Sequence, residues 1–565
     1  MNKTKTRAAA IIILAALFFA PTFSASARAR RLQDSDREMQ KAAQYLARQD
    51  WKRAADSYQK AARSDPKNYE ARYGLALAYW NLKRTTDALA SFSNVIELKP
   101  NPRVHDAYVG TGLIFFSLNR YKEAVDVFEL ALPLGPIPAE ADYALGKSYV
   151  QTSRDSQAVA PLQRASSDPR FAEDALYTVG VIYVRQRDMR QAVAPLEGAV
   201  RINPRNANAQ MFLGHAYLAT DRDEDALAAL NAAASIDPNQ FLTQFGLGYV
   251  HLRLNQNEEA LASFMAAARL QPQSPDALVG LGNVYTRLNR YREATDAFDQ
   301  AVRLKPDMPD ALIGMCVLYY AQGNYAAMLS TAQQAARLAP KEAGPHGVLA
   351  AAYAITGRMQ EGTNEARESA RLAPDNYLPH QILGFILIRE DKQQEALAEA
   401  RAAERLKPND AGSLNLLGYV LNQLNQNQEA LAASQRALAA PHQPEDEGWS
   451  YYNVATAYVG MKRQPDATEA YRRSLAAYQK VGRTLDPDEL YLMGTSYLRL
   501  DQDEQAVAAL RQAIKIRPNF AQAHYNLGVA YVASNNRRGA TDEYNALKRL
   551  DPQRAAKLLS VINGR

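Results

Sequence analysis

The sequence predicts an all-α protein built from tandem pairs of antiparallel helices, and three series of residues predict this fold. From Gly112 to Gly418 a small residue returns every 34 positions, and alanines keep step twelve positions later. Proline returns with the same period from Pro204 to Pro408. Stacked copies of one module explain such a period, whereas a single globular core does not require one.

Each period contains two amphipathic helices. In one copy, Gly282 and Tyr285 are three positions apart and share one face of the first helix. Ala294, Phe298 and Ala301 are spaced by four and then three positions, so they share one face of the second helix. Small residues allow two helix backbones to approach closely, and the aromatic rings fill the space beside that contact. A proline then ends the second helix, because the residue before proline is disfavoured in the α region.

With small residues at repeat positions 8, 20 and 27, aromatic residues at 11 and 24 and proline at 32, the chain resembles the tetratricopeptide repeat (TPR) family. About fifteen repeats between Ser35 and Pro552 carry the pattern. The resemblance implies a TPR α-solenoid, a right-handed superhelix of antiparallel helix pairs. We expect an array of about nine repeats over residues 35–340, a degenerate repeat and joint over 341–374, an array of about five repeats over 375–552, and a capping helix over 553–565.

The degenerate repeat and its surroundings depart from the pattern. Met328 and Gly362 stand where two adjacent repeats should have the small alanine of position 20, so we expect overpacking at the first and a gap at the second. The sequence "AGPHG" (Ala343–Gly347) is expected to interrupt a helix. Two insertions, Pro441–Gly448 and Tyr478–Glu489, are expected to lengthen the connections around one late repeat.

The first 27 residues have the pattern of an export signal. Lys3, Lys5 and Arg7 precede an apolar run from Ala8 to Ala20, and the small residues Ala25–Ala27 offer a cleavage site. Thirteen apolar residues are few for a membrane span. We expect a signal peptide over residues 1–27 and a periplasmic or secreted protein of a bacterial envelope, not a lipoprotein, with no transmembrane helix in the mature chain. The alternative is a cytoplasmic or membrane-tethered protein that keeps this segment.

Composition bounds the partners and the redox chemistry. The net charge of +6 falls to +3 without the three basic residues of the signal, 63 against 60, so nucleic acid is not an expected partner. Cys316 is the single cysteine, which excludes an intramolecular disulfide, and it occupies a small-residue position of the repeat.

Motifs that suggest catalysis occupy repeat positions instead. The triplet Gly146–Ser148 has Ala141, not glycine, five residues before it, so it does not form a phosphate loop. The seven histidines are scattered, without the spacing of a zinc site. We therefore expect no catalytic residue, no cofactor, no metal and no small-molecule substrate. An enzyme with an unrecognised site in the groove is the competing hypothesis.

The resemblance also implies a concave groove lined by the first helix of each repeat. Positions 2, 5, 9, 12 and 13 there are rich in Tyr and Arg, which are enriched in binding hot spots. The alternative is that these rings partly pack against neighbouring repeats. We expect a non-enzymatic scaffold that binds partner proteins or extended peptides, in envelope assembly or export. The residues expected to bind the partner are Tyr73, Trp80, Phe116, Tyr143, Tyr177, Arg185, Phe245, Tyr249, Arg253, Arg287, Phe385, Tyr419 and Tyr491.

Overall fold

The structure is a computed structural model that describes residues 28–441, 444–481 and 485–564. All regular structure in these ranges is helical, as the sequence predicts. The predicted export signal lies outside the described residues. The chain forms two compact units, the first ending at Gly246 and the second beginning at Leu247. The boundary falls within the helix Phe241–Arg253, which we label α13.

The first unit contains twelve further described helices, which alternate between the first and second helix of a repeat. In chain order α1 to α12 span 28–47, Trp51–Ser64, Tyr69–Asn81, Thr85–Glu97, Val104–Ser117, Tyr121–Ala131, Ala139–Gln151, Asp155–Ala165, Ala172–Arg185, Met189–Ile202, Ala207–Leu218 and Asp223–Ile236. A short 3₁₀ turn, Leu132–Leu134, follows α6.

The second unit continues the alternation of first and second helices. In chain order α14 to α31 span Asn257–Leu270, Pro275–Arg287, Tyr291–Leu304, Pro309–Ala321, Tyr325–Leu338, Ala343–Ile355, Met359–Leu372, Tyr377–Arg389, Gln393–Leu406, Ala411–Gln423, Asn427–Ala439, Pro444–Gly460, Gln464–Tyr478, Pro487–Arg499, Asp503–Ile516, Ala521–Ala533, Arg537–Leu550 and Pro552–Ile562. Among the residues that the structure describes, no helix is long and apolar enough to cross a bilayer.

In many repeats the small residue of the first helix lies directly against a large side chain of the second helix. A Cβ atom added to Gly112 would lie 2.6 Å from Cε1 of Phe128, and one added to Gly282 would lie 2.6 Å from Cε1 of Phe298. Both rings are fully buried. Because no side chain fits between backbone and ring, the period of small residues follows from the packing of the helix pair.

In several repeats an arginine stabilises the turn between the two helices of a pair. Asn289 has a φ of 58°, a left-handed conformation that asparagine tolerates better than most residues. The next residue, Arg290, donates from Nε to Oε1 of Glu293 at 3.0 Å and covers the ring of Tyr285 at 4.6 Å from its centroid. The same arrangement of arginine over an aromatic residue recurs at Arg84, Arg120, Arg154, Arg222, Arg358 and Arg463.

Three local predictions are wrong. The sequence "AGPHG" does not interrupt a helix but forms the beginning of α19, where Pro345 needs no amide donor. Pro444–Gly448 lies within α25, which is 17 residues long, so this insertion extends a helix rather than a connection. Gly362 leaves no gap, because an added Cβ would lie 3.1 Å from the carbonyl oxygen of Ala350.

The end of the second unit is covered by α31, which packs fully buried Leu558 against Gly528 of α29. The predicted division into arrays over 35–340 and 375–552, joined by a degenerate repeat, stays a prediction.

Candidate partner-binding sites

Three aromatic rings of the first unit form a ladder across successive first helices. Phe116 lies on α5, Tyr143 on α7 and Phe171 immediately before α9. The centroids of Phe116 and Tyr143 are 6.4 Å apart with the rings edge to face, and those of Tyr143 and Phe171 are 4.7 Å apart with the rings stacked. All three side chains are half-buried, so each keeps part of its surface in solvent. We call this set the aromatic ladder.

A polar cluster borders the ladder. The Tyr143 hydroxyl donates to Oδ2 of Asp174 at 2.8 Å, and Nζ of Lys147 donates to the same oxygen at 2.9 Å. Lys147 also lies 3.3 Å from Oγ1 of Thr178. Burial, followed by the bond to Asp174, raises the pKa of Tyr143, so its hydroxyl stays protonated as a donor. These contacts hold the central ring of the ladder in place.

Tyr73 and Trp80, the groove candidates that precede the ladder in the sequence, pack beside the helices of their own part of the chain and do not belong to the ladder. The ring of Tyr73 lies 5.8 Å from that of Phe92, and Arg103 covers it at 5.0 Å from its centroid. Arg103 is itself paired with Glu70 at 3.0 Å. Trp80 is half-buried beside the core of the first helix pairs. Through Arg103, Tyr73 therefore packs partly against a neighbouring repeat, as the alternative stated for the groove residues expects.

The remaining candidates of the first unit are aromatic pairs and one exposed cation. Tyr177 lies 6.3 Å from Phe212 on the next first helix, and Phe245 stacks on Phe241 with centroids 5.5 Å apart. The side chain of Arg185 is 58% exposed at the end of α9. The structure therefore joins Phe116 and Tyr143 in one surface and adds Phe171, which the sequence analysis did not single out.

In the second unit, the candidates nearest its beginning are engaged within the repeats. Tyr249 packs edge to face on Phe264 at 5.2 Å, and burial raises its pKa to about 12. Arg287 donates from Nη1 to the carbonyl oxygen of Leu252 at 2.8 Å, which ties two first helices together. Arg253 is exposed.

The last three candidates, Phe385, Tyr419 and Tyr491, line one cavity of about 480 Å³. Trp449 completes its aromatic wall, stacked on Phe385 at 5.0 Å and edge-on to Tyr419 at 6.2 Å. Much of the remaining wall is apolar and includes Val317, Val348, Ile382 and Ile386.

Contacts between helices far apart in sequence bound this cavity. The Tyr320 hydroxyl donates to Oδ2 of Asp486 at 2.8 Å. Arg389 pairs with Asp488, which also accepts from Nη2 of Arg517 at 2.8 Å. An open groove lined by first helices was expected. In the second unit these candidates instead surround a cavity, because the Tyr320–Asp486 hydrogen bond and the Arg389–Asp488 ion pair bridge residues about a hundred or more positions apart.

Cys316 lies in the same wall but is a packing residue. Its side chain is fully buried, with Sγ 3.7 Å from the carbonyl oxygen of Met328. Burial raises the pKa of the Cys316 thiol to about 12, so the nucleophilic thiolate is scarce at neutral pH. Met328 is accommodated beside it and is also buried.

Three histidines serve as ties within helix pairs. Each bonds through Nδ1 to a glutamate 19 positions later, and its Nε2 lies near the carbonyl oxygen of a proline six positions earlier. The histidine–glutamate pairs are His346–Glu365 at 2.6 Å, His380–Glu399 at 2.7 Å and His524–Glu543 at 2.5 Å. Within the described ranges, no three His, Cys, Asp or Glu side chains are grouped so that they could hold a metal ion.

The sequence analysis missed Trp449, Asp488 and Arg517 for identifiable reasons. Trp449 directly follows the insertion Pro441–Gly448, and Asp488 lies in the insertion Tyr478–Glu489, outside the repeat pattern. Arg517 precedes a proline, at a position that varies freely between repeats, as Gln271 and Lys305 illustrate. The run of carboxylates in the insertion was the one signal that a charged contact forms there.

Comparison with known proteins bears on the repeat assignment. A family model described as "TPR repeat" matches residues 494–535, and one described as "Tetratricopeptide repeat" matches 39–101, 86–136, 177–241 and 245–309. No curated protein sequence matches the chain.

Solved structures similar to this chain include three with low identity. The APC/C hetero-tetramer Cut9–Hcn1 matches with a TM-score of 0.45 at 16% identity, covering 88% of this chain and 96% of that one. Yeast Tom70 matches with a TM-score of 0.40 at 14% identity, covering 80% of this chain and 99% of that one. A tetratricopeptide repeat protein from Parabacteroides merdae matches with 0.38 at 19%, covering 44% and 98%. The matched repeat models and the alternating helix pairs together identify this chain as a tetratricopeptide repeat protein.

Proposed function

We propose that this protein is an exported, non-enzymatic scaffold that binds an extended segment of a partner protein on the aromatic ladder of its first unit. The ladder is the observation that carries the proposal. Its rings are partly exposed, lie on two consecutive first helices and at the start of the third, and are held by packing. Rings of this kind bury a large area while freezing few rotamers, which makes them effective anchors.

The spacing of the ladder supports an extended segment over a folded surface. The 6.4 Å between the ring centroids of Phe116 and Tyr143 is close to the roughly 6.6 Å between alternate side chains of an extended strand. Tyr143 and Phe171 are stacked at 4.7 Å and would together contact one side chain of the partner. Alternate apolar side chains of a partner could therefore contact successive rings. Lys147 and Asp174 border the ladder and offer polar groups to the partner backbone.

Export and an envelope role are supported by the N-terminal pattern alone. The basic residues, the short apolar run and the small-residue site predict cleavage after Ala27. Mass analysis of the N-terminus of the protein from envelope fractions tests this prediction. Retention of Met1 would contradict it and favour the cytoplasmic or membrane-tethered alternative.

The binding proposal is tested by capturing partners with the immobilised mature chain and measuring their affinity by titration calorimetry. Replacing Tyr143 and Phe171 with Ala should weaken binding more than about tenfold, since a central anchor contributes roughly 2 kcal/mol or more. Leu134→Ala, at an exposed apolar residue outside the ladder, is the matched control and should bind normally. Circular dichroism must show equal helicity.

Unchanged affinity in the folded double variant would move the binding surface away from the ladder. Chemical conversion of a molecule by the mature chain, without formation of a stable complex, would instead favour the enzyme hypothesis.

A further inference from the structure

The turn Arg517–Asn519, between α28 and α29, ties two distant parts of the second unit together. Arg517 donates to the carbonyl oxygen of Ile355 at 3.2 Å, and Asn519 donates to that of Gly357 at 3.2 Å. Both acceptors lie at the end of α19, 162 positions earlier. Ile355 and the residue that follows the turn both line the cavity, so the turn holds two of its sides together. We call this turn the latch.

The middle of the latch is held by His524 of α29. Nε2 of this histidine lies 2.9 Å from the carbonyl oxygen of Pro518. In two earlier repeats Gln210 and Gln244 stand at the equivalent position, and their amide nitrogens donate to the carbonyl oxygen of the proline six positions earlier, at 3.2 and 3.1 Å. A carbonyl oxygen can only accept, so the latch is bonded to His524 only while Nε2 carries a hydrogen.

The other ring nitrogen of His524 also faces an acceptor. Nδ1 lies 2.5 Å from Oε2 of Glu543 on α30, and an ionised carboxylate can only accept. Both contacts are therefore hydrogen bonds only when the ring is an imidazolium. A neutral ring keeps one hydrogen, and the charged acceptor Glu543 retains it because charge-assisted bonds are the stronger ones. The lone pair of Nε2 then faces the carbonyl oxygen of Pro518, which loosens the latch.

The sign of the pH dependence follows from the same contacts. Burial by itself would lower the pKa of His524, but the bonds to Glu543 and Pro518 outweigh it and raise that pKa above its ordinary value. A folded-state pKa above the unfolded one means that the protonated ring stabilises the closed latch fully below about pH 6.5. This contribution is lost as the pH rises through the folded-state pKa.

The other charged groups on the helices packed against α29 are paired elsewhere, cap a helix or lie near solvent. Arg517 is bonded to Asp488, and Arg554 of α31 is bonded to Asp551. Exposed charges are screened by solvent and salt, so Glu543 dominates the field at the ring. The remaining charged side chains of α27, α28, α30 and α31 are Asp486 and Glu489, which cap α27 together, half-buried Asp503 and the exposed Arg499, Glu504, Arg511, Lys515, Arg537, Arg538, Asp542, Lys548, Arg549 and Lys557.

We propose that His524 is a pH sensor that keeps the latch closed while its ring is protonated and releases it on deprotonation, which opens one side of the cavity. His346 and His380 make the same kinds of bond, but the prolines they contact, Pro340 and Pro374, lie outside the latch. The sensor lies in the second unit and does not depend on the aromatic ladder, so failure of one proposal leaves the other standing.

Labelling of Cys316 measures the opening. This single cysteine is fully buried in the cavity wall, so the neutral reagent dithiodipyridine reaches it only when the wall opens. A thiol becomes more reactive as pH rises, so each rate is divided by that of His524→Gln at the same pH. Glutamine keeps a donor for Pro518 and does not titrate. We expect the ratio for the parent protein to be level below about pH 6 and to rise about threefold to tenfold by about pH 9, the effect of one lost hydrogen bond.

Two further variants assign the effect to the pair of bonds. In Glu543→Gln the new amide can donate to Nδ1, so a neutral His524 keeps its hydrogen on Nε2, and the rise with pH should disappear. His380→Gln is the matched control, because His380 bonds Glu399 in the same way outside the latch, and it should keep the rise. Hydrogen exchange of residues 351–358 and 515–522, compared with His524→Gln at each pH, should locate the opening at the latch.

A ratio that stays level with pH in the parent protein, or a rise that persists in Glu543→Gln, would overturn the proposal. Loss of the rise in folded His380→Gln would overturn it as well, since the pH effect would then belong to the array as a whole. Circular dichroism must show equal helicity in the variants compared. If His524→Gln does not fold, Glu543→Gln serves as the reference.

Discussion

Arg517 and Asp488 form an ion pair, with Nη2 of the arginine 2.8 Å from Oδ2 of the aspartate, at a place where the repeat pattern predicts neither residue. The arginine side chain is 2% exposed and also donates to the carbonyl oxygen of Ile355. In a simple array each repeat depends only on its neighbours. This pair makes the late repeats of the second unit depend on residues 162 positions earlier.

Removing Arg517 should destabilise the second unit. In Arg517→Ala, Asp488 keeps only the cation of Arg389, and the carbonyl oxygen of Ile355 loses a hydrogen-bond donor. We therefore expect the free energy of unfolding to fall by about 2–3 kcal/mol. This lies below the roughly 3–5 kcal/mol for a fully buried pair, because the Asp488 side chain is 30% exposed. Denaturant unfolding followed by circular dichroism measures the loss. Arg549→Ala, at an exposed residue, should change stability by less than about 0.5 kcal/mol, and an equal loss in both variants would contradict the assignment.

The same site predicts a pH dependence. Burial by itself would raise the pKa of Asp488, but Arg389 and Arg517 outweigh it and hold that pKa below its ordinary range. A folded-state pKa below the unfolded one means that the carboxylate stabilises the fold above about pH 4, and that this contribution is lost as pH falls toward the folded-state pKa. Asp488→Asn should therefore be less stable than the parent at neutral pH, with the difference narrowing below about pH 4. Urea titrations at several pH values test this, and a difference independent of pH would count against it.

Two glycines should respond to alanine with opposite signs. In Gly282→Ala the added Cβ would lie 2.6 Å from buried Phe298, and overpacking of about 1–3 kcal/mol should outweigh the gain in helix propensity. In Gly347→Ala the nearest atoms are Oγ of Ser369 at 3.4 Å and Cδ1 of Ile382 at 3.5 Å, which are ordinary contacts. That variant should be stabilised by about 0.5–1 kcal/mol. Thermal unfolding of both proteins checks the two signs, and equal shifts would show that the pair packing does not set the glycine period.

Hydrogen exchange can test the predicted joint over residues 341–374 together with the repeat before it, so that the segment compared runs from Asp307 to Pro374. We expect amides there to exchange faster than those of α15 and α16, because Gly362 within α20 lowers helix stability by roughly 1 kcal/mol relative to alanine. Asn519 and Arg517 donate to carbonyl oxygens of this segment, so Arg517→Ala should increase the difference. Equal protection in both segments of the parent protein would show that the joint does not exist.

The sequence by itself determined the fold, because each repeat is specified locally. Gly282 must be small since a ring of its own repeat lies against it, and Asn289 adopts the turn conformation that joins the two helices. Such constraints act within 34 residues and therefore leave a visible period. The sequence also indicated Phe116 and Tyr143 as partner residues, because their repeat positions lie on first helices.

Only the tertiary structure decided which candidates share a site. Phe385, Tyr419 and Tyr491 lie on first helices, as Phe116 and Tyr143 do, yet they line a cavity with Trp449 and carboxylates of an insertion. Contacts across more than a hundred residues, such as Arg517 with Ile355, have no period and leave no local signature. The physical reason is that the spacing of side chains along a helix fixes the face on which a residue lies. What that face contacts depends on the packing of each repeat on the next, summed over several repeats.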